Sequence, residues 1–109
     1  MKKEITCWTI LEIKVKTGTA KEAAAAHTKR HAIEECAETV DGFVYGETVV
    51  SRDNPKLMLV ICGWENEAAI DEWQKSPVRE KQTKDLEPLI NVDFAKENLF
   101  QRYHKVEGR

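Results

Sequence analysis

The feature that most constrains the fold is a nearly unbroken apolar run, Leu-Met-Leu-Val-Ile-Cys-Gly-Trp, at residues 57–64. Turn-forming chemistry, Arg-Asp-Asn-Pro-Lys, precedes it at residues 52–56. Because the run is short and begins at a turn, it is typical of a strand buried on both faces rather than of a helix. Residues 43–51 are rich in β-branched and aromatic types. We therefore expect these two segments to form an antiparallel hairpin.

The segment at residues 5–16 alternates with the period of a strand. One of its faces is formed by Ile5, Cys7, Thr9, Leu11, Ile13 and Val15. The opposite face is polar near its end but carries Trp8 and Ile10, so we expect another part of the structure to cover those two side chains.

A helix is predicted from about residue 20 to residue 39. Thr19 and Glu22 have the spacing of a capping box, in which each side chain bonds a free backbone N–H near the other residue. Asp41 and Gly42 then supply a typical helix ending. The apolar stripe predicted for this helix consists of Ala26, Ile33, Cys36, Ala37 and Val40.

A second helical region follows the apolar strand and is predicted to be interrupted. Asn66 is suited to cap its first piece, in which Ala69, Ile70 and Trp73 have helical spacing. Ser76-Pro77 then combines a cap with a proline in the first helical position, which predicts a restart continuing to about residue 85 or 89. A last strand is expected within residues 92–103, on the pattern of Val92, Phe94, Leu99, Phe100 and Tyr103.

The resulting order, β-α-β-β-α-β, predicts an α+β, ferredoxin-like fold with a four-stranded antiparallel sheet. A chain of 109 residues has the usual size of one domain. We expect a single domain over residues 1–109, with its core at about 5–103 and a polar tail at 104–109. Since Trp8, Ile10 and the third strand make the far face of the sheet apolar, we predict a homodimer in which two sheets pack face to face.

Composition excludes several classes of function. The chain has a formal net charge of −2, so it has no basic excess with which to bind nucleic acid or an anionic membrane. Cys7, Cys36 and Cys62 are widely spaced and odd in number, which argues against a disulfide framework or a zinc site. The sequence shows neither a signal peptide nor an apolar stretch long enough for a membrane span. We expect reduced thiols and a cytoplasmic location.

His27 and His31 are four residues apart and would share one face of a continuous helix. The spacing lacks the glutamate of the metalloprotease motif. Relative to Ile33 both rings are predicted to point sideways and outward. A solvated helix face is the simpler interpretation, while a metal or substrate contact is the alternative; no metal site is predicted.

The aromatic residues allow two interpretations. Phe43, Tyr45, Trp64, Trp73 and Phe94 would serve as core, because aromatic side chains dominate small cores. Alternatively, some of them line a flat apolar pocket between sheet and helices, which would suit an aromatic ligand. Arg79, just after the predicted restart, is either a surface arginine or a fork of donors at the mouth of that pocket.

Five short segments resemble the antibiotic biosynthesis monooxygenase family. They are Gly-Thr-Ala-Lys-Glu at residues 18–22, Thr-Lys-Arg-His at 28–31, Val-Asp-Gly-Phe at 40–43, Trp-Glu-Asn-Glu-Ala-Ala at 64–69 and Trp-Gln-Lys-Ser-Pro at 73–77. The similarity spans roughly residues 5–89. It implies a dimeric α+β barrel, which agrees with the homodimer inferred from the apolar face of the sheet.

Within that family the sequence most resembles haem-degrading monooxygenases, which use an asparagine, a tryptophan and a haem-ligating histidine. Trp73 matches the tryptophan, but the ungapped matches for the asparagine and histidine are Leu11 and Thr83. Neither side chain can supply the missing chemistry, so a haem cofactor is disfavoured and would need an atypical ligand such as His27.

The other branch of the family resembles cofactor-free oxygenases of quinols and polyketide-like phenols. This resemblance implies a monooxygenase with no cofactor, acting on an aromatic or quinol-type small molecule in a pocket between sheet and helices. Its lining is predicted to come from Leu11, Phe43, Trp64, Trp73, Arg79 and Thr83. Two alternatives stay open: a haem-binding or haem-degrading enzyme, and a non-catalytic dimer that binds a small hydrophobic molecule.

Overall fold

The computed structural model describes residues 3–90 and 100–108. Within these residues the chain forms four strands and four helices. Their bounds, in chain order, are β1 (Cys7–Lys14), α1 (Ala20–Lys29), α2 (Ala32–Thr39), β2 (Phe43–Val50), β3 (Leu57–Trp64), α3 (Glu67–Gln74), α4 (Pro77–Ile90) and β4 (Phe100–His104). The predicted α+β, ferredoxin-like fold is confirmed.

The four strands form one antiparallel sheet in the order β2-β3-β1-β4. The predicted hairpin is confirmed, and β3 occupies the whole of the apolar run that predicted it. A last strand is also confirmed at Phe100–His104. The rest of the segment predicted for it, residues 92–99 with Phe94, lies outside the described residues.

The core lies between the helices and one face of the sheet. Ile13 and Met58 are 1% and 0% exposed, and Val40 and Ile70 are both 0% exposed. Gly46 permits close packing here, because a Cβ atom at this position would lie 2.8 Å from Phe43 Cζ and 2.9 Å from Ile33 Cγ2. The glycine therefore lets α2 approach β2 closely. Cys7, Cys36 and Cys62 are all buried and free, as the sequence predicted.

The opposite face of the sheet, which we call the open face, carries aromatic and branched side chains. Strand register places Trp8 opposite Gly63 and Tyr103, and Ile10 opposite Ile61. Trp8 and Tyr45 pack edge to face with centroids 6.3 Å apart. Tyr45 and Tyr103 are 43% and 48% exposed, so this face is apolar and only partly buried within one chain.

The prediction of one continuous helix over residues 20–39 is wrong. The chain breaks at His31, which adopts a left-handed conformation with φ 58° and ψ 38°. The Arg30 side chain, just before the break, lies 3.1 Å from both Asp85 Oδ2 and Glu35 Oε1. Contacts with α4, which is distant in sequence, thus stabilise this break. The residues next to His31 in the sequence do not predict it.

The predicted N-terminal helix caps are confirmed, whereas the left-handed glycine expected at the end of the first helical region is wrong, because Val40 is the C-cap and Gly42 has no positive φ. The capping box of Thr19 and Glu22 is present in both directions, with the Thr19 hydroxyl accepting from Glu22 N and Glu22 Oε1 accepting from Thr19 N. Asn66 Oδ1 accepts from Ala69 N at 2.9 Å. The second helical region restarts at Pro77, as predicted, and Ser76 Oγ accepts from Val78 N at 3.1 Å. These local signals fix where α1, α3 and α4 begin.

Candidate functional site

One row of side chains crosses the helix-covered face of the sheet. The register aligns Thr48 with Val60, Val60 with Leu11, and Leu11 with Phe100, so the row runs through all four strands. Val60 is buried, whereas Leu11 and Phe100 are half-buried and pack against the core. The β1–β4 end of the row is therefore an apolar surface that retains some access to solvent.

Arg79 lies above this end of the row. It belongs to the first turn of α4, whose start is set by Ser76 and Pro77. The guanidinium carbon lies 5.5 Å from the centroid of the Phe100 ring, within the range of a cation–π contact. The side chain is half-buried. Local capping and the β4 pairing together place a cation against an aromatic ring.

The guanidinium of Arg79 differs from those of the three other arginines that the structure describes. Arg30, Arg52 and Arg102 each have a carboxylate oxygen within 4 Å. In the part of the chain that the structure describes, Arg79 has no such partner and its guanidinium donates no hydrogen bond. Burial lowers the pKa of Arg79, and the nearby Cys36 opposes this shift. Because arginine stays charged at neutral pH, five directed donors remain available to an anion.

Thr83 lies one turn after Arg79, and its hydroxyl is already engaged. Thr83 Oγ1 donates to the Arg79 carbonyl oxygen at 3.0 Å, an interaction within the helix. The side chain is half-buried. Thr83 therefore offers no basic ligand.

Phe43 and Trp64 form a second aromatic group at one end of the sheet. Their rings meet edge to face at 87°, with centroids 5.5 Å apart. Trp64 is 0% exposed, and its Nε1 donates to Thr9 Oγ1 at 2.9 Å. Trp73, on α3, is 8% exposed and also belongs to the core. The structure thus places both tryptophans in the core, while their predicted part in a pocket stays a prediction.

The two histidines do not share a face, because the helix breaks between them. His27 is 7% exposed and its Nδ1 lies 3.3 Å from Thr48 Oγ1, so the expectation that it points outward is wrong. Burial lowers its pKa, with a smaller opposing effect of Glu34. His31 is exposed at the break, 4.0 Å from Glu34 Oε2. The buried side of α1 is instead formed by Ala20, Ala23 and His27.

Cys36 lies near Arg79 and Cys62 lies near Cys36, and sequence reasoning gave neither thiol a part in a site. Cys36 is close enough to Arg79 for the two groups to influence each other's pKa. Burial raises the pKa of Cys36 strongly and that of Cys62 to about 12, so both thiols are protonated at neutral pH. They act here as small apolar side chains. Within residues 3–90 and 100–108, no three His, Cys, Asp or Glu side chains are grouped as a metal site would require.

Phe100 and Gln82 were also missed as site residues. Phe100 was predicted only as part of the last strand, and its place beside Leu11 depends on β1–β4 pairing. Gln82 is 7% exposed and bonds the start of α2. Its only sequence signal is the spacing of three residues from Arg79, which puts both on one side of a helix.

The residues present do not fit haem. Leu11 is apolar, and the Thr83 hydroxyl is donated to the backbone. His27 is almost fully enclosed and contacts Thr48. The thiols of Cys36 and Cys62 are protonated, whereas a cysteine ligand to haem iron is a thiolate. None of these described residues thus presents an axial ligand to haem iron at the apolar end of the row.

The arrangement defines a ferredoxin-like α+β domain with an apolar site between sheet and helices and, beside it, Arg79, a cation without a carboxylate partner among residues 3–90 and 100–108. Residues 9–82, more than half of the chain, match the family model described as antibiotic biosynthesis monooxygenase. The chain belongs to the antibiotic biosynthesis monooxygenase family.

Several solved structures share this fold. SnoaB, a cofactor-independent oxygenase from Streptomyces nogalater, superposes with a TM-score of 0.70 at 15% identity, over 96% of this chain and 97% of the other. The monooxygenase ActVA-Orf6 of Streptomyces coelicolor, in complex with nanaomycin D, gives 0.69 at 15% identity, over 96% and 91%. A conserved protein from Methanosarcina mazei Go1 gives 0.69 at 15% identity, over 94% of each chain.

At this level of identity the superpositions show a shared fold. No curated protein sequence matches the chain significantly. Of the helices within the described residues, none is both long and apolar enough to cross a membrane.

Proposed function

We propose that this protein is a cofactor-independent monooxygenase that oxidises an aromatic or quinol-type small molecule between its sheet and helices. The observation that carries the proposal is Arg79, a half-buried guanidinium over Phe100 with no carboxylate partner among the described residues. An ionised phenol would supply both groups that this site lacks, a flat ring for the apolar surface and an oxyanion for the guanidinium.

The chemistry needs no added reductant. A phenol that loses its proton can give one electron to dioxygen, and the resulting radical and superoxide combine to form a C–O bond at a ring carbon. Loss of water from the peroxide leaves a quinone, so that phenol and O2 become quinone and H2O. One oxygen atom enters the product, and the other leaves as water. The substrate supplies all four electrons.

Arg79 would act on the first of these steps. A fixed cation lowers the energy of the phenolate relative to the phenol and so increases the reactive fraction at neutral pH. The apolar neighbours Leu11 and Phe100 exclude water from the ring and strengthen that electrostatic effect. The similarity in fold to SnoaB and to ActVA-Orf6 supports this assignment of reaction type.

Oxygen uptake with a panel of quinols and phenols tests the proposal. Uptake should exceed the protein-free rate, and with ¹⁸O2 one labelled atom should appear in the quinone and the other in water. Arg79→Met should lower kcat/KM by roughly 100-fold, in the range seen when one oxyanion donor is removed. Arg79→Lys should retain part of the activity, because it keeps the charge but loses the planar fork.

Arg52→Met is the matched control, since Arg52 is exposed and its ion pair among the described residues is with its neighbour Asp53. Uptake no faster than the protein-free rate for every substrate would exclude the oxygenase. Saturable quenching of tryptophan fluorescence without uptake would then favour the non-catalytic binding protein. A Soret shift on adding haemin would reopen the haem alternative; we expect none.

We further propose that two copies pair through the open face. Trp8, Ile10, Ile61 and Tyr103 adjoin one another there, and this apolar surface is only partly buried in one chain. Sedimentation velocity at micromolar concentration should give a dimer, and Ile61→Lys should give a folded monomer. A wild-type monomer would refute the pairing without bearing on the role of Arg79.

A further inference from the structure

One side of α4 joins the candidate site to the break between α1 and α2. Arg79, Gln82 and Asp85 recur at intervals of three residues, so they lie on neighbouring turns of the same helix side. Arg79 lies against Phe100 and near Cys36. The next two residues of the series contact the α1–α2 junction. Helix α4 is therefore bonded to the α1–α2 junction just beyond Arg79.

The tie at Gln82 is buried and specific. Gln82 is 7% exposed, and its Nε2 donates to the Ala32 carbonyl oxygen at 3.0 Å and to Glu35 Oε1 at 2.9 Å. Ala32 is the first residue of α2, directly after the left-handed residue. Both amide hydrogens are thus used on groups that belong to the first turn of α2. A shift of α4 along α2 would break both bonds together.

Arg30 completes the connection from the α1 side. Its guanidinium lies 3.1 Å from Asp85 Oδ2 and 3.1 Å from Glu35 Oε1. Oε1 of Glu35 therefore forms an ion pair with Arg30 and also accepts the hydrogen bond from Gln82. Cys36, the residue after Glu35, lies near enough to Arg79 to affect its pKa. Two successive turns of α4 thus meet the first turns of α2 in a fixed register.

We propose that Gln82 is a positioning residue for Arg79: its two hydrogen bonds set the register of α4 on α2 and thereby hold the guanidinium over Phe100. The inference rests on the proposed function only in treating Arg79 as the group that binds the substrate anion. It assigns Gln82 no contact with substrate. Its effect is to keep the Arg79 donors preorganised, which matters because reorientation after binding would cost affinity.

The position of Arg79 can be tested without any ligand. In ¹⁵N-labelled protein the Arg79 Nε–Hε signal, assigned by its loss in Arg79→Met, should show a ring-current shift from Phe100. Gln82→Met, which keeps the length of the side chain but not the donors, should move that signal toward the position of an exposed arginine. Glu87→Met, at an exposed site on the same helix, should leave it in place.

Binding of 4-nitrophenolate, followed by its visible absorption, gives the second readout. Arg79→Met should weaken binding about tenfold or more, as expected for a charged hydrogen bond. Gln82→Met should weaken it severalfold. In the Arg79→Met background, Gln82→Met should have no further effect, because the two substitutions act through one guanidinium.

An unmoved Arg79 signal in Gln82→Met, or additive losses in the double variant, would overturn the proposal. Where Gln82→Met fails to fold, Glu35→Ala removes one acceptor of the tie from a part-exposed site and should shift the Arg79 signal in the same direction. Failure of the proposed function is distinguishable: absent oxygen uptake would refute the oxygenase, while a Gln82-dependent Arg79 signal would persist.

Discussion

Two helical regions of this chain are each interrupted once, and the two interruptions are built differently. Between α3 and α4 the break is local, since Pro77 starts the new helix and Ser76 Oγ accepts from Val78 N. Between α1 and α2 the break is at His31, and Arg30 is held by Glu35 and Asp85. We call the break at Ser76-Pro77 the local break, because neighbouring residues form it. We call the break at His31 the tertiary break, because it depends on contacts with α4. The break at Ser76-Pro77 thus determines where α4 begins. The break at His31 determines how α4 is positioned along α2.

This difference matters for the site because Arg79 lies between Pro77, which starts α4, and Gln82, which bonds α4 to α2. It is two residues after Pro77 and three before Gln82. The local break determines where the first turn of α4 begins, and the tertiary break determines how that turn lies against α2. Substitutions at the two breaks should therefore differ in size and in what else they disturb.

The largest effect is expected at the tertiary break. Gln82→Met leaves the Ala32 carbonyl and Glu35 without the buried amide, and losing such a partner costs about 1–3 kcal/mol. Urea unfolding should show this loss in the free energy of unfolding. Lys84→Met, on the exposed side of α4, should change it by less than about 0.5 kcal/mol. Equal effects of the two substitutions would mean that the tie contributes little.

The local break should give a smaller effect. Ser76→Ala removes the hydroxyl that accepts from Val78 N and should cost about 1 kcal/mol, the usual value for loss of an N-cap. Ser76→Asp supplies another acceptor at the same place and should restore most of the loss. The free energy of unfolding is the measurement. A fully destabilised Ser76→Asp variant would contradict the capping role.

What could be predicted from the sequence follows the same division. Short-range chemistry predicted β3, the hairpin, the caps at Thr19 and Asn66 and the restart at Pro77 correctly. The break at His31 was missed because Asp85, which helps to hold it, is 55 residues from Arg30. The predicted apolar stripe, from Ala26 to Val40, therefore continued across that break as if it belonged to one helix.

The error at the break explains the error at His27. Once α1 ends at Lys29, its buried side is independent of α2, and it places His27 against Thr48. For the site, the sequence singled out Arg79 from its place after the restart. The Phe100 ring beside it could not be found, because pairing of β4 with β1 is a long-range contact. Neighbouring residues thus predict the element on which a side chain lies, whereas the residue that it contacts depends on the tertiary fold.

The backbone at the tertiary break offers a stabilising substitution. His31 has φ 58°, a conformation that costs a residue with a Cβ atom but not glycine. His31→Gly should raise the free energy of unfolding by about 0.5–1 kcal/mol, after the greater flexibility of glycine in the unfolded chain is counted. His31→Ala also removes the exposed contact with Glu34 but retains the strain, so it should not stabilise. Equal stability of the Gly and Ala variants would contradict the strain at this residue.

The smallest effect expected is a difference in acid sensitivity between the two breaks. The pKa of Glu35 is lowered from its ordinary value of 4.5, chiefly by the hydrogen bond from Gln82 and then by Arg30. A carboxyl with a depressed folded-state pKa stabilises the protein above its unfolded pKa, and that stability is lost as the pH falls through the folded value. Because Glu35 is part-exposed, solvent screens the effect and it should be modest. Glu35→Gln keeps an acceptor for Gln82 but cannot titrate, so its urea midpoint should fall less than that of the wild type between about pH 6 and pH 3. Ser76→Ala should show the wild-type pH dependence, because the local break contains no titrating group among the atoms that form it. If Glu35→Gln and the wild type lost stability in parallel on acidification, the carboxylate would not be what holds the tertiary break.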